Sequence, residues 1–324
     1  MINLSSLQPG LLGASPYSNV RQEVLVPGAS VAFEMDLPRL DIPIQATLDG
    51  WPDREYGKTV FIRVRTQGLG CTFKCKSCWA STLPHGVQLT SQEIVFQVIH
   101  ILLSGLVDLR GVDRLVVATM GLGEPFANYQ VVDALRELNF LIPACRFIIS
   151  TTGPRTGKKV FDSALEMCRQ GVRIDFQISV HSVRQEWRLE FIGDIKHQGR
   201  PLASWTVEEL SLRAREWYEA TGNKAHINLA VGPSFHGWDA GDHDGFAQLF
   251  PSDIVVVKLS LEGPYDGQPW DQAQYYAALL HRQTRLQEMG YPTYEYIPAG
   301  VDVGGSCGAQ LDIRKLVQVQ PQRL

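Results

Sequence analysis

No stretch of this sequence is long and apolar enough to cross a bilayer. The most apolar run, IVFQVIHILLSGLV at 94–107, is broken by Gln97, His100 and Ser104 and falls short of the roughly 20 residues a spanning helix needs. The N-terminus, MINLSSLQPGLLGASPYS, lacks both the basic start and the unbroken apolar stretch of a secretory signal, so a reducing cytoplasm is the expected address. A basic surplus is missing too: 30 Lys and Arg stand against 34 Asp and Glu, a net charge of -4. Phosphate contact drives most nucleic-acid affinity, so a broad nucleic-acid surface is not expected. Cysteine is scarce, six in 324 residues, and unevenly spaced. That excludes a disulfide framework and leaves metal ligation, catalysis or core packing. Internal repeats and low-complexity segments are lacking as well. What remains, 44% hydrophobic and 20% charged, is a globular composition able to bury a large core as one big domain or two smaller ones.

From residue 60 onward short β-branched runs alternate with amphipathic segments. Strands are expected at VFIRVR (60–65), RLVVAT (114–119), CRFIIST (145–151), RIDFQISV (173–180), AHINLAV (225–231) and IVVVKLSL (254–261). Helices are expected at 91–105, 128–139, 158–171, 207–222, 241–250 and 270–290. Thr90 with Glu93 and Thr206 with Glu209 form capping boxes, whose side chains satisfy the first free amides of a helix. Six β/α units in series predict a parallel sheet with helices outside, doubly wound or curled into a barrel, and its chemistry gathers at the C-terminal strand ends. Residues 1–58 differ. They contain seven acidic and four basic residues, several prolines and strand-like runs such as EVLVPGASVAFEMDL, and read as a small β-rich N-terminal extension to a unit spanning 59–324.

Half of the cysteines fall in TQGLGCTFKCKSCWAST (66–82), where Cys71, Cys75 and Cys78 make C-x3-C-x2-C. Structural zinc closes with four ligands, whereas a 4Fe-4S cluster on three cysteines leaves one iron open. A zinc site would need Cys145, Cys168, Cys307 or a histidine as fourth ligand. Lys74 and Lys76 beside the triad read as solvated loop charges. Cys145 and Cys168 lie in a strand and on a helix face and are expected in the core. Cys307, in the glycine-rich turn VGGSCGAQ, has the exposed setting of a reactive thiol. Acid or base candidates near the active end are His226, Asn228, His236, Asp239, Asp242 and His243, although solvation explains that loop equally well.

A C-x3-C-x2-C loop leaving the first strand of a β/α series resembles the radical S-adenosylmethionine (SAM) enzymes. The segment MGLGEPFAN (120–128) after the second strand looks like their GGEP-type motif. IISTTG (148–153), FQISVHS (176–182) and GGSCGAQ (304–310) narrow the likeness to the ribosomal RNA adenine methyltransferases of the RlmN and Cfr type, over roughly residues 59–312. The resemblance implies a partial (β/α)6 barrel, a 4Fe-4S cluster on Cys71, Cys75 and Cys78, and SAM bound by Gly123, Glu124, Pro125, Ser150, Ser179 and His181. In that family the cluster's electron cleaves SAM to a 5'-deoxyadenosyl radical, and a flavodoxin or ferredoxin is the expected donor. Lys258 stands where the family has a SAM-binding asparagine. Cys307 corresponds to the methyl-carrying cysteine, and its two possible jobs are methyl carrier and hydrogen-atom donor. Apart from the likeness, Ser150, Ser179 and His181 read equally well as polar residues capping strand ends.

The sequence departs from that family in several places. Val64 occupies the position of the second, adduct-resolving cysteine, and the helical RNA-binding domain has no counterpart in residues 1–58. Ser77 replaces the aromatic residue before the last cluster cysteine, with Trp79 just beyond as an alternative cover for the adenine. The expected function is therefore radical SAM modification of a small-molecule or nucleotide-like substrate, with ribosomal RNA disfavoured and no membrane partner. The alternatives are RlmN/Cfr-like RNA methylation and a non-catalytic iron-sulfur or zinc protein.

Overall fold

The computed structural model describes residues 13–26, 30–40, 43–53, 57–76, 78–106, 112–193, 196–197, 200–201, 204–232, 235, 237–262 and 272–296. Its frame is a sheet whose spatial order follows the chain. The strands are β1 (Asn19–Val26), β2 (Ser30–Asp36), β3 (Ile44–Asp53), β4 (Gly57–Arg63), β5 (Arg114–Ala118), β6 (Arg146–Thr151), β7 (Ile174–Ser179), β8 (Ala225–Val231), β9 (Val255–Leu261) and β10 (Thr293–Tyr296). From β4 to β10 every neighbouring pair is parallel, whereas β1 to β4 pair antiparallel. The six parallel strands from β4 to β9 are the six expected from β-branched runs, and helices follow the strands as a parallel α/β sheet requires. This is the mixed architecture of a partial barrel carrying additional N-terminal strands.

The helices are α1 (Ser91–Leu103), α2 (Gln130–Leu141), α3 (Lys158–Arg169), α4 (Gln185–Ile192), α5 (Val207–Thr221), α6 (Ala240–Leu249) and α7 (Gln272–Glu288). The capping boxes at Thr90 and Thr206 form as read from the sequence. A third, unforeseen, joins Asp239 to the Asp242 amide at the start of α6. Each such cap is worth about 1 kcal/mol. Helix α4 and strand β10 were also not expected from periodicity. No helix among the described residues is long and apolar enough to cross a membrane.

The N-terminal strands are tied to β4 by more than the ladder. Arg63 donates to both carboxylate oxygens of Asp49 on β3, at 2.8 and 3.1 Å, with both side chains nearly inaccessible to solvent. Just beyond, the buried Arg65 guanidinium reaches Gln45 on β3 at 2.8 Å. The expected boundary between residues 58 and 59 therefore falls inside β4, and one sheet runs across it. The main core gathers Phe126, Phe161, Phe176, Trp205 and Trp217 between sheet and helices, with Phe126 and Phe176 stacked at 5.8 Å. Cys145 is fully buried in this core and Cys168 packs against it.

Candidate active site

A cavity of about 230 Å³ opens at the C-terminal ends of the parallel strands. Cys71, Cys75 and Cys78 form one wall with Phe73, Ala80 and the α4 residue Phe191. The loops after β5 and β6 supply Gly121, Gly123, Glu124 and Thr152, while the strands themselves present Ser150, Thr151, Gln177, Asn228, Lys258 and Ser260. Ser179 and His181 complete the lining from the end of β7. Sequence reasoning thus named residues that the fold brings to one place. Pro125 stands apart: it is buried in the short 3-10 turn that Glu124 caps, outside the lining. Cys307, His236, Ser77 and the side chain of Trp79 lie outside the described residues.

The cysteine loop is held from both sides. Lys74 was expected as a solvated charge, but its ammonium donates to the carbonyls of Ala80, Leu83 and Pro84, closing the loop on itself. Lys76 pairs with Glu190 of α4, and its N–H donates to Phe191 O at 2.9 Å. Gln67 locks the approach: its carbonyl oxygen accepts from the amides of Thr72 and Glu124, and its NH2 donates to the Thr72 hydroxyl.

Cys71, Cys75 and Cys78 carry no disulfide. Burial, then the neighbouring thiols, push Cys71 and Cys75 well above the ordinary thiol range. Such a sulfur set ionises only beside strong positive charge, which a soft metal or an iron-sulfur cluster provides. The donor chemistry fits that group. Among the described residues no three His, Cys, Asp or Glu side chains already stand at metal-holding spacing; the sulfurs share a wall rather than a closed cage.

The glycines of GLGEP have a physical reason different from ligand approach. Gly123 has φ +115°, and a Cβ there would lie 2.6 Å from Thr66 Oγ1 and 2.7 Å from the Gln67 nitrogen. A Cβ on Gly121 would lie 2.7 Å from Val64 O. Both let the turn after β5 press against the strand leading to the cysteines. Glu124 then ties this turn to the next loop. Its carboxylate accepts from the Phe126 amide, the Thr151 hydroxyl, and the amide and hydroxyl of Thr152, at 2.6–2.9 Å. Those four bonds occupy the acceptor sites of a carboxylate. Burial nonetheless holds the Glu124 pKa above its ordinary value.

His181 sits at φ 62°, with its Nδ1 accepting from the Ala230 amide at 3.2 Å and its ring against Phe191 and Phe235. Burial first, then the Arg188, Lys258 and Arg282 charges, push its pKa down to about 3, so the ring is neutral. Deeper in the cavity Lys258 donates to Gln177 Oε1 at 3.2 Å and lies 3.8 Å from the Tyr296 ring centre. Ser260 donates to Asn228 Oδ1 at 2.6 Å.

The other acid–base candidates are placed elsewhere. Asp239 and Asp242 cap α6 and pair with Arg184, and His243 bonds the Asp239 carbonyl. His226 bonds the Tyr294 hydroxyl at 2.9 Å. None of these four lines the cavity. Val64 is fully buried in the main core and is likewise outside the lining. Gln177, Glu262, Phe191, Phe235 and Tyr296 are lining residues that sequence reasoning missed.

No protein-family model matches the chain. A probable dual-specificity RNA methyltransferase RlmN of Frankia alni is 28% identical over 281 residues, covering 82% of this chain and 61% of that protein. One of Enterococcus faecalis is 29% identical over 234 residues, covering 69% and 59%. The chain resembles the RlmN-type radical SAM methyltransferases. It spans about three fifths of the length of these two curated relatives. A radical SAM methyltransferase of Sphaerobacter thermophilus shares the fold at TM-score 0.69 and 19% identity, over 94% of this chain and 85% of that one. Radical SAM methyltransferases use a 4Fe-4S cluster and SAM.

Proposed function

We propose that residues 59–324 form a radical SAM catalytic unit, with residues 1–58 as a β-rich extension. The carrying observation is the convergence of Cys71, Cys75 and Cys78, the GLGEP turn and the strand-end row of Ser150, Ser179, His181 and Lys258 on one cavity. In this reading Cys71, Cys75 and Cys78 hold a 4Fe-4S cluster. A cluster bound there would supply the electron for reductive cleavage of SAM. Gly123, Ser150, Ser179 and the neutral His181 line the space for SAM, and Glu124 keeps the two ligand-facing loops in register. Phe191 and Phe235, with ring centres 4.4 Å apart, form a wall that excludes water. Cys307 serves as methyl carrier or hydrogen-atom donor. A flavodoxin or ferredoxin supplies the electron, and the protein works in the cytoplasm.

The substrate in this reading is a small or nucleotide-like molecule rather than ribosomal RNA. Three features support it: the net charge of -4, antiparallel strands in the N-terminal region, and core-buried Val64 at the resolving-cysteine position. RlmN-like RNA adenine methylation is the second reading, favoured by the likeness to the RNA methyltransferases of Frankia alni and Enterococcus faecalis.

Reconstituted anaerobically with iron and sulfide and reduced in the presence of SAM, the protein is expected to release 5'-deoxyadenosine. A bound cluster that never yields it would sink the radical SAM reading. Mass spectrometry showing S-methylated Cys307 after SAM incubation supports the carrier role, and a bare thiol supports hydrogen donation. Restored adenine methylation in ribosomal RNA of a deletion host would replace the small-substrate reading with the RNA one.

A further inference from the structure

Ser150, Gln177 and Lys258 lie on β6, β7 and β9 and form a crossbar along the floor of the cavity. Its bonding order is fixed by chemistry. An ammonium can only donate, so the Gln177 oxygen faces Lys258, 3.2 Å away. The Gln177 amide nitrogen must then face the other way, where it donates to Ser150 Oγ at 2.7 Å. Amide orientation is usually ambiguous, but here Lys258 removes the ambiguity. The strand register supports the same placement, since Ser150 pairs directly with Gln177 across β6 and β7. Gln177 is buried, whereas Ser150 is half-buried on the cavity side.

We propose that Gln177 is a positioning residue, which sets Ser150 as a hydrogen-bond donor toward the ligand by occupying its oxygen from behind. With one lone pair taken by Gln177, and its hydrogen bonded to no acceptor among the described residues, the Ser150 hydroxyl offers that hydrogen to the cavity. The ligand group it meets is an acceptor: a ribose oxygen, a ring nitrogen or a carboxylate. Lys258 acts at one remove, by fixing the direction of the Gln177 amide. The inference rests on SAM binding in this cavity.

The test is Gln177→Glu, whose side chain keeps the shape and pairs with Lys258 but can only accept when ionised. Ser150 must then turn its hydrogen toward position 177. Affinity for SAM is measured by equilibrium dialysis on the anaerobically reconstituted protein, for the parent, Q177E, S150A and the double variant, with thermal melting in parallel. Q177E is expected to weaken SAM binding by about tenfold, to match S150A, and to add little to it in the double variant, while melting at or above the parent's temperature. Parent-like affinity in Q177E, or full additivity with S150A, overturns the inference and leaves SAM binding intact. A reconstituted parent that does not bind SAM overturns the functional reading and this inference with it.

Discussion

Glu124 and Thr152 are joined twice, the carboxylate accepting from both the backbone N–H and the side-chain hydroxyl of Thr152, each at 2.9 Å. With the bonds from Phe126 and Thr151, this one carboxylate connects the turn after β5 to the loop after β6. Glu124→Gln puts an NH2 group among buried donors; in either orientation it strands one backbone N–H and forces one threonine hydroxyl to turn round and accept, which costs on the order of 3 kcal/mol. The melting temperature is expected to fall by about 4 °C. Unchanged melting would show that the joint is held elsewhere.

Gly123 and Gly105 separate two costs of a side chain at positive φ. Gly105, at φ 76°, has open space where a Cβ would go, so Gly105→Ala is expected to cost about 1–2 kcal/mol from backbone strain alone. Gly123→Ala adds collisions with Thr66 and the Gln67 backbone and is expected to cost about 4 kcal/mol. Urea unfolding of the two variants measures the difference, and equal midpoints would refute the close contact.

His181 predicts the direction of acid sensitivity. The unfolded chain takes up this proton near pH 6.5, but the folded chain holds it off until about pH 3. Between those values the unfolded state binds more protons. The stability from the neutral ring is complete above pH 6.5 and drains away as pH falls, by at most about 1.4 kcal/mol per pH unit. His181→Asn, a residue that tolerates the left-handed backbone, should flatten that slope in urea titrations between pH 7 and pH 4. A slope identical to the parent's would assign the proton uptake to another group.

Removal of a single sulfur tests the proposed cluster ligands. Cys75→Ala is expected to leave only a small fraction of the parent's iron and sulfide after anaerobic reconstitution. Cys145→Ala, which alters only the core, should retain it. Equal iron in both variants would remove Cys75 from the ligand set.

Much of this site could be read along the chain because its parts carry local signatures. Three cysteines within eight residues, glycines before a buried glutamate, and serines at the ends of β-branched runs all stand out one element at a time. Helix α4 did not, because its pattern runs against amphipathy: Arg188 is fully buried, donating to the carbonyls of Thr152 and Trp205, while Leu189 beside it is 44% exposed. Asp239 and Asp242 looked equally suited to catalysis or solvent, and only their cap and their pairing with Arg184 settled their role. Gln177 gave no signal as a polar residue within an apolar strand. Its significance lies in partners on β6 and β9, and relationships across strands are what a linear pattern does not display.

The antiparallel strands before β4 also decide where this sheet can meet other chains. Had the sheet begun at β4, its first parallel strand would offer a row of unpaired amides and carbonyls beside the cysteine loop. Instead that row is used by β3, and among the described residues the outermost strands are β1 and β10. The β1 ladder is interrupted by a register shift between Val24 and Val26. A bulge of this kind twists an edge away from straight pairing. The extension thus moves this border of the sheet three strands away from β4 and breaks its regularity, which guards that side of the cavity against edge-to-edge aggregation.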